Sequence, residues 1–423
     1  MDKSAGYVIC LLGGIVLLMN MWMPRVLAEE EEAEASLPPP SALAQQLAAY
    51  IRTVQHPSTG LPPSFANSVD HELDGVAFTY DVAVSALALT HAGALDAAQR
   101  ALNLYLRMPL PSGRTFDFNT AYHVASGKPT LEFRVHGGPL FWMAIALMRY
   151  AQARGDARAF EKACELLEWA RTHLPHREGG VAMSHRDSWS AVTSVENNWV
   201  YYAALRLAIS LLPDGKQREA FLKEKARLRQ WLAKHQGKRG ADDAVKALDV
   251  YTHALLVGPE AHLEDGAVSG PQALAQWAKA QIAELTLLFQ IPDSALYDYT
   301  DGQECQAIGR GRAAWLEGTE QVSVAYQTWA PWFEQRGDEA FAKELRMNAA
   351  LSHAQVVRRA LASPPQGVAV PNTDAVLAFL TFRDGWYARP RSEPALNGTN
   401  WAYLAEVGYN PFVMKAPRRE GAQ

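Results

Sequence analysis

Apolar positions along the chain fall into two kinds of helical segment that alternate. Residues 82–89, 140–148 and 200–212 are rich in Ala, Leu, Ile and aromatics with hardly a charge. A helix without a polar face has to be covered on all sides, so these read as buried. Between them, 157–173 sets Glu161, Lys162, Glu165, Glu168 and Arg171 around a surface of Cys164, Leu167, Trp169 and Ala170, and 216–235 is more charged still. One apolar and one wet face is the pattern of a helix on the outside.

Counted through, outer segments are expected to start near Ala42, Leu95, Ala157, Lys216, Pro271 and Asp338, and inner ones near Tyr80, Pro139, Glu196, Leu248, Glu317 and Thr399. Each outer segment precedes an inner one, and six such pairs close into an all-α toroid, an (α/α)6 barrel of about twelve helices. Tandem helical repeats with a period of about 34 residues do not fit inner starts spaced this widely. The long loops between helices carry extra elements: 114–122 and 131–135 alternate polar and apolar residues, as short β hairpins do.

The N-terminus and the charge balance bound what this body can be. Met1, Asp2 and Lys3 precede an apolar run over 7–19, and Val26, Leu27 and Ala28 suit signal peptidase cleavage. Residues 1–28 are therefore expected to be a signal peptide, with a mature chain that starts near Glu29 in the periplasm or outside the cell. An uncleaved anchor is the alternative, since a span needs roughly 17 apolar residues; Asn20, Pro24 and Arg25 count against it. Residues 29–41, acidic and then proline-bearing, read as a tether, 42–412 as the barrel and 413–423 as a polar tail. A net charge of -5 with acids and bases interspersed gives no pull toward nucleic acid, nor toward a membrane after signal cleavage. Of three cysteines, Cys10 belongs to the leader; Cys164 and Cys305 could pair, and no Cys-x-x-Cys spacing points to zinc or redox chemistry.

Parallel inner helices bring their N-termini to one end, where free N–H groups and positive dipole ends favour acids. The residues there are Tyr80 and Asp81; His136 and Trp142; Glu196, Asn197, Asn198 and Trp199; Asp249 and Tyr251; Trp315, Glu317 and Glu320; and Asn397, Asn400 and Trp401. Flat rings stack on the apolar face of a pyranose while amides and acids take its hydroxyls, so the mixture suits a sugar. All but Asp249 and Asn397 are carried forward as site candidates: Asp81, Glu196 and Glu317 for catalysis, the rest for substrate contact.

On this layout, and on Thr79-Tyr80-Asp81, Ser194-Val195-Glu196-Asn197-Asn198, Trp315-Leu316-Glu317-Gly318-Thr319, Thr399-Asn400-Trp401 and Gly408-Tyr409-Asn410-Pro411-Phe412, the chain resembles the six-hairpin glycosidase superfamily from about residue 42 to 412. The resemblance implies an enzyme that hydrolyses or cleaves polysaccharides or oligosaccharides in the barrel mouth. It assigns no individual family and carries over no catalytic position.

Hydrolysis by inversion takes a protonated and an ionised carboxyl, about 6.5–9.5 Å apart. Glu196 is the expected acid, on the ground that Trp199 and its uncharged surroundings desolvate it; Glu317 or Asp81 is the expected base, and Glu320, three residues after Glu317, reads as a cap. A lyase or uronate epimerase would instead use Tyr80, His136, Tyr201 or Tyr251 as base, with the arginines of Gly309-Arg310-Gly311-Arg312 on the substrate acid. A glycan-binding scaffold of an exopolysaccharide system is the non-enzymatic reading. No cofactor and no metal are expected: His-Glu-x-x-His, Gly-x-Ser-x-Gly and nucleotide-binding glycine patterns are absent from the sequence. Asp298, Asp301 and Glu304 lack the spacing of a calcium loop and read as a turn, and Asp70, Glu72 and Asp74 as a solvated loop.

Overall fold

The computed structural model describes residues 40–414 except 69, 110–117, 131–135, 187, 236–245, 265–267, 364–366, 376–379 and 382–386. The leader, nearly all of the tether, the tail beyond Met414, and most of the two expected hairpins lie outside the described residues. Among those described, no helix is long and apolar enough to cross a membrane.

Six outer helices are α1 (Pro40–Thr53), α3 (Leu95–Arg107), α5 (Ala157–His173), α7 (Lys216–His235), α10 (Pro271–Phe289) and α13 (Glu339–Val357). The inner ones are α2 (Thr79–His91), α4 (Gly137–Arg154), α6 (Val195–Leu211), α8 (Leu248–Leu256), α12 (Leu316–Glu334) and α14 (Leu396–Glu406). Two short helices complete the set: α9 (Gly258–Glu264) continues α8 past a break, where Gly258 takes φ +81°, and α11 (Gly302–Ala307) is capped by Asp301. The barrel unit runs from Ala44 onward.

Each inner helix packs against the next, α2 on α4, α4 on α6, α6 on α8, α8 on α12, α12 on α14, and α14 back on α2, so the ring closes. Burial follows the patterning. Every residue from Thr79 to Thr90 except Tyr80 is buried in α2, whereas α5 hides only part of its surface, packed mainly on α4. The tight turns run from an inner helix to the following outer one, as at Gly155-Asp156, where Gly155 ends α4 at φ +74° and the Asp156 carboxylate caps α5. All the long connections therefore collect at the other end, the mouth.

These mouth loops interlock. The first N–H of α2 donates to Thr120 O, that of α4 to Met183 O, that of α8 to Tyr299 O, that of α12 to Asn372 O and that of α14 to Ser64 O. In each case the acceptor lies in the loop that leads to the next inner helix round the ring. In α6 the Ser194 hydroxyl does the capping, accepting from Asn197 N. First-turn acids are thus spared this duty. Short antiparallel pairs brace the loops: β1 (Val76–Phe78) with β2 (Ala121–His123), and β3 (His176–Arg177) with β4 (Gly180–Val181). Further on, β5 (Leu361–Ser363), β6 (Gly367–Pro371) and β9 (Pro394–Ala395) form one sheet, and β7 (Leu380–Thr381) pairs with β8 (Tyr387–Ala388).

The far end is plugged by 408–412. Asn410 donates to Leu256 O at the end of α8 (2.7 Å), buried Arg149 of α4 donates to Pro411 O (3.0 Å), and the Phe412 ring lies 4.9 Å from Trp142. Cys164 and Cys305 are both buried and free, so they do not pair.

Candidate active site in the barrel mouth

A cavity of about 400 Å³ opens among the inner-helix N-termini. Four carboxyls line it, each from the first turn of a different inner helix: Asp81 of α2, Glu196 of α6, Asp249 of α8 and Glu317 of α12. Tyr80, Trp142, Trp315 and Tyr299 give flat walls; Asn197, Gln321, Asn372 and Asn397 give amides. The volume is at the low end of small-molecule sites.

Glu317 is the most elaborately held. Its Oε1 accepts from the Tyr80 hydroxyl and from Gln321 Nε2 (3.3 Å), its Oε2 from Asn397 Nδ2 (2.7 Å), and Tyr80 is itself fixed by Trp401 Nε1 (2.7 Å). Burial, with the charges of Asp81 and Asp249 behind it, outweighs the hydrogen bonds from Tyr80 and Trp315 and lifts its pKa to about 8. Burial likewise pushes Asp81 up to about 7, against a Ser64 hydrogen bond that opposes the rise. Glu196 differs, with 30% of its side chain exposed. Its Oε1 lies 4.0 Å from Nδ1 of His253, too far for a direct hydrogen bond. His253 is buried and lines the cavity, and burial keeps it neutral by lowering its pKa to about 3. A hydrogen bond with the Glu196 backbone opposes that fall without overcoming it.

Two glycines shape the walls by what they lack. A Cβ on Gly318 would run into the Trp315 indole, and one on Gly138 into the Asn197 amide, so both wall residues lie against a helix turn that has no side chain there.

All three candidates for catalysis line this cavity, as do four of the substrate contacts, Tyr80, Trp142, Asn197 and Trp315. The other seven point elsewhere. Asn198 holds Val181 through its backbone N–H (2.8 Å) and carbonyl (2.9 Å), and Asn400 ties α14 to Asp81 O (3.2 Å) and Ser85 Oγ (3.0 Å). Trp199 packs on Tyr202 and His262, with the Arg229 guanidinium over its ring, instead of desolvating Glu196. The Tyr251 hydroxyl donates to Glu284 of α10 (2.8 Å), His136 meets the edge of Trp189, and Trp401 stands behind Tyr80. Glu320 is not a cap: it is buried against His353 of α13 (2.9 Å), whose other nitrogen meets Glu406 (2.8 Å).

Helix rotation explains the division. At about 100° per residue, positions i and i+4 lie about 40° apart on one face, i+3 about 60° to its other side, and i+2 on the far side. Hence Asp249 lines the cavity with His253, Glu317 with Gln321, and Gly138 with Trp142. That spacing could have marked Asp249, His253 and Gln321 in the sequence. Phe65, Tyr299 and Asn372 come from loops and carried no such signal.

Neither Arg310 nor Arg312 lines the cavity; both pair with buried Asp298, and Arg312 also donates to Leu288 O (3.1 Å). Where a turn was expected, Asp301 caps α11 and Glu304 lies in that helix, while Asp298 is an ion-pair residue; Asp70 pairs with Arg389 (3.3 Å), and no group of ligands for a metal ion forms among the described residues.

No family model and no curated protein matches the sequence. Solved structures do resemble it. A D-mannose isomerase superposes with a TM-score of 0.61 at 14% identity, over 87% of this chain and 96% of that one. A cellobiose 2-epimerase from Bacillus thermoamylovorans gives 0.59 at 13%, over 85% and 95%, and a wild-type glycosidase 0.55 at 13%, over 86% and 96%. These neighbours are (α/α)6 barrels, and likeness at such identities establishes that fold. It does not choose among their reactions.

Proposed function

We propose that this chain is an exported glycoside hydrolase that works on a polysaccharide or oligosaccharide in the barrel mouth, by an inverting two-carboxylate mechanism. The observation that carries the reading is Glu317: a buried carboxyl that keeps its proton near neutrality, within a cavity that holds three further acids. A general acid has to hold its proton until the leaving oxygen departs. Glu196, the acid with solvent access, has the exposure needed to activate water. The roles anticipated from sequence therefore exchange, because Trp199 turns away from Glu196 while α2, α12 and α14 desolvate Glu317. Tyr80 and Asn397 orient the acid, and Trp142 and Trp315 offer faces for the sugar ring.

Purified protein should release new reducing ends from at least one glycan in a broad panel, and the first-formed anomer should be inverted by NMR. Binding without cleavage across the panel sinks the hydrolase reading.

Sugar epimerisation or isomerisation is the second reading. Neutral His253 on the cavity wall could serve as base there, and a free sugar would then be interconverted with no gain of reducing ends. A uronate lyase draws less support, since the described lining has no Lys or Arg to neutralise its substrate.

A further inference from the structure

We propose that a groove beside the mouth binds an acidic group, a carboxylate or a sulfate, on a sugar next to the one held in the cavity, so that the substrate is an anionic glycan. This rests on the reading of the cavity as a glycan site and names the class of chain that enters it. The groove encloses about 470 Å³ and is lined by Arg358, Arg359, Leu361, Asp374, Arg391 and Ser392. All six belong to the connection between α13 and α14, one of the long loops at the mouth.

Its position ties it to the cavity. Asp374 follows the cavity residue Asn372 by two positions, and its carboxylate accepts from Ala314 N (2.9 Å), next in the chain to Trp315 of the cavity wall. Trp315 and Thr373 form an antiparallel bridge between the same two stretches. Two residues of chain reach at most about 7 Å, so the groove opens beside the Trp315 wall, where the next sugar of a chain would lie.

Its charge sets the ligand. Three guanidiniums and one carboxylate line it, which leaves two positive charges together on a protein of net charge -5. A guanidinium stays protonated at any physiological pH, so this excess is not relieved by titration. Arg359 is anchored, donating to Gln355 O (2.8 Å) and to Asp374 (3.4 Å). Arg358 and Arg391 are exposed, and neither makes a side-chain hydrogen bond or ion pair among the described residues. Their paired N–H donors match two oxygens of a carboxylate or sulfate, and the Ser392 hydroxyl adds a further donor. Four carboxyls line the cavity itself, which assigns the acidic group to the neighbouring sugar and leaves the ring that is cleaved neutral.

The test is calorimetric binding to the purified full chain with two matched pairs of oligosaccharides in which acidic and neutral sugars alternate or can be made to. Hyaluronan fragments are compared with their carboxyl-reduced forms, and keratan sulfate fragments with their desulfated forms, so that the two pairs separate carboxylate from sulfate. In at least one pair the acidic member should bind at least about tenfold tighter than its neutral partner. The preference should shrink at high salt. It should be lost in the double variant Arg358→Ala, Arg391→Ala and kept in Arg346→Ala, which removes a charge from an exposed part of α13 outside the groove. No acidic preference in either pair, including no binding at all, overturns the proposal, and so does a preference that survives the double variant. Cleavage of neutral glycans without acidic preference would leave the hydrolase standing and sink this inference. Acidic preference in a protein that cleaves no glycan would do the reverse.

Discussion

At the scale of single residues, the account turns on a carboxyl that the fold has made reluctant to ionise. An unfolded Glu317 gives up its proton near pH 4.5, and the folded one holds it to about pH 8. Between those values the unfolded chain binds fewer protons than the folded one, so Glu317 makes stability fall as pH rises from 4.5 to 8. The contribution is intact below 4.5 and gone above 8. Asp81 adds to the slope between its ordinary 3.8 and about 7. Glu317→Gln should flatten part of this decline, a difference on the order of a few kcal/mol by pH 8, measured by urea unfolding across pH. Parallel slopes for the two proteins would show that Glu317 ionises freely. Its importance was legible from its place at an inner-helix start, but the role was not, since desolvation depends on Tyr80, Trp401 and Asn397 converging from other helices.

Among elements, α12 is the post that the site leans on. Its first turn presents Glu317 and Gln321 to the cavity, and its back carries Glu320 into a buried chain with His353 of α13 and Glu406 of α14. Burial alone would lower the His353 pKa, but the two carboxylates hold it up at about 10. His353→Gln removes the cation between two buried acids and should cost about 3–5 kcal/mol in denaturant unfolding. A loss within error would show that the pair is not charged. At the front of the same helix, Gly318→Ala should leave the fold intact and push Trp315 off its seat, so that KM for a cleaved glycan rises while kcat changes less. An unchanged KM would remove Trp315 from the binding wall. Helix existence and order were written in the hydrophobic pattern, and every start falls within three residues of expectation. Which first-turn residue faces inward was legible only in part: Asp81, Glu196 and Glu317 line the cavity as expected, but five of the six inner helices are capped by backbone carbonyls of neighbouring loops, which leave no mark in composition.

Over the whole molecule, the interlocked loops and the C-terminal plug make a barrel open at one end, with its acids gathered there. The toroid follows from twelve segments whose apolar pattern alternates between all-round and one-sided; the contents of its mouth depend also on loops from distant parts of the chain, such as those of Phe65, Tyr299 and Asn372. The central claim is that Glu317 gives the proton and Glu196 readies the water. It is tested most directly by comparing wild type, Glu317→Gln and Glu196→Gln on a natural linkage and on a dinitrophenyl glycoside of the same sugar, whose leaving group departs without a proton. Glu317→Gln should lose about 10²–10⁴ in kcat on the natural linkage and stay within about tenfold of wild type on the activated one, whereas Glu196→Gln should fail on both. Equal losses of Glu317→Gln on the two substrates, or full activity of either variant on the natural linkage, would contradict the account.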